Sequence, residues 1–414
     1  MKTFMFPGQG SQARGMGGDL FDQFKDVTEK ADNILGYSIK ELCLTDPRRE
    51  LNKTRFTQPA LFVVNALCYL KKVEETGQTP DYVAGHSLGE FNALLAAECF
   101  DFEAGLKLVK KRGELMSKAP EGGMAAILNA SKEEIEDILK KNGLTNIDLA
   151  NYNTPSQIVI SGPLEEIGKA QEFFQQGAML YYPLNTSGAF HSRIMQPVKE
   201  KFEIYLKKFK FAAPKIPVIS NVTARPYGSD DVVENLSTQL ASGVRWSDSI
   251  QYLMAVATDE MEFEEVGNGE VMTKIFKTIK METAKALENS PAQESSNGTK
   301  SADAGAASQD QHVASNAQSS AKAQAATKAQ QDTAKPAAAT KQDSLPKPTS
   351  FAAAEDKVKA WNIKYPVGTK VKSAIADYKN LETRTAAIVL FGHRAAVYMK
   401  EYNGYFDLEE VTPV

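Results

Sequence analysis

Tyr82-Val83-Ala84-Gly85-His86-Ser87-Leu88-Gly89-Glu90 decides the fold of this 414-residue chain. Tyr82-Val83-Ala84 is a short run of buried strand type, and Leu88 to Cys99 has helical periodicity. Between them stands Gly-x-Ser-x-Gly. In that context the serine occupies a sharp strand-to-helix turn, with its hydroxyl exposed at the helix N-terminus. The helix dipole and free N–H groups there favour a developing oxyanion. Five residues with three fixed recur by chance, and a helix N-cap serine would read the same. The strand–helix junction tips the balance towards a nucleophile.

The same alternation continues outward. Thr3 to Phe6 reads as a strand, followed by the turn Pro7-Gly8-Gln9-Gly10-Ser11-Gln12. Pro59 to Val73 carries Leu61, Val64, Leu67 and Cys68 at helical spacing, with Gly77-Gln78 as a stop. Strands and helices in turn imply a hydrolase-like α/β core with a mostly parallel sheet, over 1–122 and 192–288. Residues 123–191 read as an inserted unit. Met124 to Leu128 is a strand, and Ser131-Lys-Glu-Glu134 is a capping-box helix start. Strands at Ile147 to Tyr152 and Gln157 to Ser161, a helix from Leu164 to Gln175 and a strand from Met179 to Pro183 follow. The order βαββαβ is ferredoxin-like and places a cleft at the seam of the two units.

Beyond residue 288 the composition breaks. Residues 289–354 form one segment, dominated from Ser290 to Thr349 by Ala, Gln, Ser, Lys, Thr and Asp, with Pro336, Pro346 and Pro348 near its end. Such a segment buries too little apolar surface to offset its ordering entropy, so a flexible tether is expected, spanning on the order of 45 Å as a coil. Residues 355–414 then alternate like short strands at Val367–Val371, Thr383–Phe391, Ala395–Lys400 and Tyr405–Leu408. Asn403-Gly404 signals a hairpin, and the segment reads as a small all-β, SH3-like module.

Composition excludes several classes of function. Hydrophobic residues at 42% and charged residues at 24% are ordinary for soluble globular protein. A net charge of -4 leaves no basic excess for nucleic acid. Cys43, Cys68 and Cys99 lack Cys-x-x-Cys spacing, which suits free thiols in a reducing, cytoplasmic setting. The longest apolar run, near Leu61 to Leu67, is far below a membrane span, and the apolar N-terminus is too short for a signal peptide. No His/Cys/Asp cluster has ligand spacing, and Gly8 to Gly18 is no nucleotide fingerprint, so neither metal nor other cofactor is expected.

A serine nucleophile needs a base, and the chain has four histidines. His312 falls in the tether and His393 in the β-module. The strand–turn geometry points His86 away from its neighbour Ser87, which leaves His191 as the candidate. Read alone, Arg112 would be one cation in the basic helix from Lys107.

Several motifs occur in order: Phe6-Pro7-Gly8-Gln9-Gly10-Ser11-Gln12, Gly85-His86-Ser87-Leu88-Gly89-Glu90, Arg112-Gly113, Asn151 to Gly162, Gly188-Ala189-Phe190-His191, Ser220-Asn-Val-Thr223, and Gln239 with Trp246. Over residues 1 to about 285 the chain resembles malonyl-CoA:acyl carrier protein transacylases and the acyltransferase domains of polyketide synthases. The resemblance implies Ser87 as nucleophile, His191 as base, and the N–H groups of Gln9 and Leu88 as oxyanion hole. It implies that the Gln239 backbone carbonyl orients His191 in place of a carboxylate, and that Arg112 grips the malonyl carboxylate. Phe190 belongs to the malonyl-selecting form of its motif, crowding an α-methyl. Gly267-Asn268-Gly269 departs from a common Gly-Pro-Gly.

The expected partners are malonyl-CoA and an acyl carrier protein or the carrier domains of a polyketide synthase. The extra C-terminal region favours a freestanding enzyme that serves a polyketide synthase in trans. Three alternatives are a housekeeping fatty-acid transacylase, a hydrolase acting on acyl carrier proteins, and a non-catalytic scaffold that binds them. A hydrolase of the esterase kind would carry an Asp or Glu on His191 and have less need of Arg112.

Overall fold

The computed structural model describes residues 1–186, 188–257, 260–288, 351–373, 381–390, 394–400, 405–409 and 411–414. Its strands through residue 288 are β1 (Lys2–Phe6), β2 (Tyr82–Gly85), β3 (Gly123–Leu128), β4 (Asp148–Thr154), β5 (Gln157–Gly162), β6 (Leu180–Leu184), β7 (Val218–Ile219) and β8 (Glu262–Glu265). They form two sheets.

The larger sheet runs β7-β2-β1-β8 with every pairing parallel. Strand alternation sends Phe4, Phe6, Val83 and Val218 into one apolar cluster and Met5, Ala84 and Ile219 into another. The first cluster includes helix Thr54–Thr76, whose stop is Gly77 in the left-handed region at φ 62°. The second includes helices Trp246–Val256 and Val271–Glu288. A parallel sheet covered on both faces follows, and its C-terminal strand ends lie along one edge.

The smaller sheet runs β4-β5-β3-β6 with every pairing antiparallel. Helices Lys132–Lys141 and Leu164–Phe174 cover it around Ile127, Ile135, Ile160 and Phe174. This is the ferredoxin-like order, and the capping box at Ser131 and Glu134 closes on both sides. β4 is stitched to the larger unit at Asn151, which bridges Val244. The Ser156 hydroxyl and amide both donate to Glu282.

The C-terminal module corrects one expectation: it is not all-β. Helix Phe351–Lys364 opens it and overlaps the end assigned to the tether; Trp361 from that helix is buried with Val371, Leu381, Val397 and Val411. The helix was missed because its apolar stripe, running from Val358 through Trp361 to Tyr365, is short and stands beside an exposed Ile363. Strands β9 (Val371–Ser373), β10 (Ile388–Leu390), β11 (Arg394–Tyr398), β12 (Tyr405–Asp407) and β13 (Val411–Pro413) pair as an antiparallel β10-β11-β12 meander and a β9-β13 pair. Tyr398 stands opposite Tyr405. The Asn403-Gly404 turn expected between them, His312, His393 and the tether at 289–350 lie outside the described residues.

Candidate active site

Three loops leaving the C-terminal ends of β1, β2 and β7 converge here, bringing Gln9, Ser87 and Asn221. Open α/β sheets bind ligands at this edge. Ser87 takes φ +51°, a left-handed conformation that costs a non-glycine residue about 1 kcal/mol or more. Asn221 holds it there: its Oδ1 accepts the Ser87 N–H at 2.7 Å while its Nδ2 donates to the Gly85 carbonyl at 2.7 Å. The flanking glycines are steric requirements. A Cβ on Gly89 would lie 2.1 Å from the Phe6 carbonyl oxygen, and one on Gly8 would lie 2.3 Å from the His86 oxygen.

Ser87 Oγ lies 2.8 Å from His191 Nε2. His191 Nδ1 lies 2.7 Å from the Gln239 backbone oxygen, which can only accept. Nδ1 therefore carries the proton and Nε2 is the acceptor for the serine hydroxyl, the tautomer a general base needs. A backbone carbonyl thus stands where an esterase would place a carboxylate.

Arg112 reaches the dyad from helix Phe102–Met116 and is 1% exposed. Its Nη2 donates to Ser87 Oγ at 3.1 Å and to Gln239 Oε1 at 2.8 Å. Its Nε has no protein partner among the described residues, a buried donor free for an incoming acceptor. Burial lowers the guanidinium to about 9, so it stays cationic at neutral pH. The amides of Gln9 and Leu88 likewise donate to no protein acceptor among the described residues.

Burial, and then the Arg112 cation, push His191 down to about 3. The native state keeps it neutral where the unfolded chain protonates it, near 6.5. Its folded value being the lower one, the stability it contributes is present above 6.5 and is lost as pH falls towards 3. Between pH 7.5 and 5.5 the stability difference between wild type and His191→Gln should shrink by about 1.4 kcal/mol. Urea melts at the two pH values measure it; a constant difference would show His191 titrating alike in both states.

His86 is turned away from Ser87 as expected. Its Nε2 donates to Asn153 Oδ1 at 2.9 Å, and its ring lies 5.6 Å from that of Trp246. Phe190 is buried one residue before His191, and a Cβ on Gly188 would come within 3.2 Å of its ring. A cavity of about 510 Å³ opens onto His191 at the seam between the units, lined also by Leu149, Tyr152, Arg193 and Gly243. Ser87 and Arg112 do not line it.

Two residues of the site carried no role in the sequence reading, although both stand in the quoted motifs. Asn221 grips the elbow, and Glu90 is buried behind it. The Gln239 side chain was also missed: only its backbone carbonyl was expected to act. Asn268, the departure from Gly-Pro-Gly, ties the β8 loop to the Gln9 loop by donating to the Ser11 carbonyl at 3.0 Å. Among the described residues no group of three or more His, Cys, Asp or Glu could hold a metal, and no helix is long and apolar enough to cross a membrane.

A serine on a strained elbow, within hydrogen-bond reach of a histidine whose other nitrogen meets a backbone carbonyl, is the arrangement that α/β enzymes working through an acyl-serine require. Residues 3–278 match the family described as "Acyl transferase domain", and the chain belongs to it. It is 55% identical over 285 residues to the polyketide biosynthesis malonyl CoA-acyl carrier protein transacylase BaeC of Bacillus velezensis, covering 68% of this chain and 98% of that protein. To the protein of the same description, PksC, from Bacillus subtilis it is 56% identical over 282 residues, covering 68% and 97%. The crystal structure of malonyl CoA-acyl carrier protein transacylase from Burkholderia pseudomallei superposes with a TM-score of 0.67 at 59% identity, covering 68% of this chain and 98% of that one.

Proposed function

We propose that the protein transfers malonyl from malonyl-CoA to the phosphopantetheine thiol of an acyl carrier protein, serving a polyketide synthase in trans. The observation that carries it is a buried Arg112 within hydrogen-bond reach of the Ser87 hydroxyl, with its Nε donor unpaired. A planar guanidinium binds a carboxylate bidentately, so the malonyl carboxylate is fixed beside the nucleophile.

In the first half-reaction Ser87 Oγ attacks the thioester carbon and its proton passes to His191 Nε2. The oxyanion lies on the N–H groups of Gln9 and Leu88, each worth about 3 kcal/mol of transition-state stabilisation. Collapse breaks the carbon–sulfur bond, and His191 returns the proton to the leaving thiolate. In the second, the carrier thiol gives its proton to His191 and attacks the ester, and the serine leaves and is reprotonated. No metal or redox cofactor enters either step.

The names of the relatives at 55% and 56% identity support the polyketide assignment over the housekeeping one. We place the protein in the cytoplasm on its free cysteines. The segment at 289–350, expected as a tether, and the module that opens with helix Phe351–Lys364 fit a docking unit for a megasynthase, raising the local concentration of the carrier. The short antiparallel strands of that module support its SH3-like form. Phe190 favours malonyl by crowding an α-methyl. Phe190→Ser should therefore raise the methylmalonyl-to-malonyl loading ratio about 10- to 100-fold, since one methyl is worth ~1–3 kcal/mol. Competitive loading from the two CoA esters measures it; an unchanged ratio would remove Phe190 from the acyl pocket.

The reading as a whole is tested by intact mass after brief exposure to malonyl-CoA, followed by holo carrier protein. A malonyl adduct that forms and then moves to the carrier supports transfer. An adduct that is lost to water as fast without carrier would make the protein a hydrolase.

A further inference from the structure

Glu90 is fully buried on helix Gly89–Ala96, three residues past the nucleophile, and neither half-reaction uses it. Its carboxylate takes three donors. Oε1 accepts the Asn221 N–H at 2.7 Å and the Tyr227 hydroxyl at 2.9 Å, and Oε2 accepts Gln239 Nε2 in a short contact. The other end of the same amide, Gln239 Oε1, accepts from Arg112 Nη2 at 2.8 Å. An ionised carboxylate only accepts and a guanidinium only donates. An amide between them has one satisfied orientation, NH2 to Glu90 and carbonyl to Arg112.

The bridge solves an electrostatic problem. A fully buried guanidinium needs an anion nearby, yet a direct bidentate pair would take two of its five donors and close one edge of the fork to substrate. Spacing the two charges by one amide keeps Glu90 close enough to favour the cation and leaves the Nε donor unpaired.

We propose that Glu90 is a positioning residue that, through the Gln239 amide, orients Arg112 for acyl groups bearing a carboxylate and so sets the preference for malonyl over acetyl. This rests on the malonyl-transfer reading above.

Glu90→Gln is the test, read on the full chain by single-turnover loading from malonyl-CoA and from acetyl-CoA. The new amide keeps an oxygen for Asn221 and Tyr227 but turns an NH2 towards Gln239. The Gln239 amide then keeps only the Ser87 carbonyl, at 2.8 Å, as an acceptor, and its hold on Arg112 is weakened. Malonyl loading should fall about 10- to 100-fold, chiefly through KM, as expected for losing a hydrogen bond to a charged group. Acetyl loading, which makes no use of the clamp, should stay within about threefold of wild type. Equal losses for both donors, as from a damaged elbow, would overturn the inference, and so would an unchanged malonyl KM. If Glu90→Gln does not fold, Gln239→Met removes the amide, with its bond to the Ser87 carbonyl, and keeps the backbone carbonyl on His191; the acetyl rate then reads any loss at the elbow. It should show the same loss of malonyl preference, and an unchanged preference would overturn the role of Glu90. Wild-type loading that ignores Arg112 would sink the transfer reading itself, and the inference with it.

Discussion

Ser87→Ala should take up no malonyl mass. Loading should fall about 10⁵-fold or more, the scale of removing the nucleophile from a serine enzyme. The variant is well controlled because the substitution deletes one oxygen and little else. The hold on the elbow runs through the Ser87 amide to Asn221 and the Gly85 carbonyl to the Asn221 side chain, and both survive. Melting should therefore stay within about 0.5–1.5 kcal/mol of wild type, the worth of the lost hydroxyl hydrogen bond. Intact mass spectrometry with malonyl-CoA reads the adduct directly. An adduct that persists in Ser87→Ala at the wild-type rate would place the acyl group on another residue and dissolve the dyad.

Arg112→Ala should divide the acyl donors. Truncating one member of a buried charge pair costs roughly 2–5 kcal/mol, so malonyl loading should fall about 10³-fold. Acetyl-CoA has no carboxylate for the clamp and loses only the Nη2 bond to Ser87 Oγ, a fall of about tenfold. The malonyl-to-acetyl ratio should thus drop about 10²-fold. Single-turnover loading with each donor gives both rates. If the two fall together, Arg112 serves the serine rather than the substrate, and the malonyl assignment fails. Folding needs its own check by circular dichroism, because the variant strips buried Glu90 of a neighbouring cation. Burial already raises that carboxyl to about 7, and without Arg112 it should be neutral over a still wider range.

Much of this was legible before any coordinates. The larger unit could be read because strand and helix periodicities differ and alternate cleanly from Thr3 to Cys99. The smaller unit could be read because Ser131 and Glu134 announce a helix start and the strands around it alternate. Ser87 stood out through its glycines, Gly85 and Gly89, where an added Cβ would lie 1.9–2.1 Å from neighbouring backbone atoms. His191 stood out largely because so few histidines compete with it. The helix Phe351–Lys364 was not legible, since its stripe of Val358, Trp361 and Tyr365 is short and follows a long polar segment.

The rest of the site belongs to tertiary structure. Residue types and local spacing determined that a serine elbow would form and which histidine could serve it, while Arg112 drew notice only through the family resemblance. They could not determine that Asn221 would close on the elbow across 134 positions, or that the two ends of one Gln239 amide would face opposite charges. Buried donors and acceptors find partners wherever the packed chain brings them, and that pairing has no period to read along the sequence. The larger sheet decided it, by ending β1, β2 and β7 at one edge and delivering their loops to the same few ångströms.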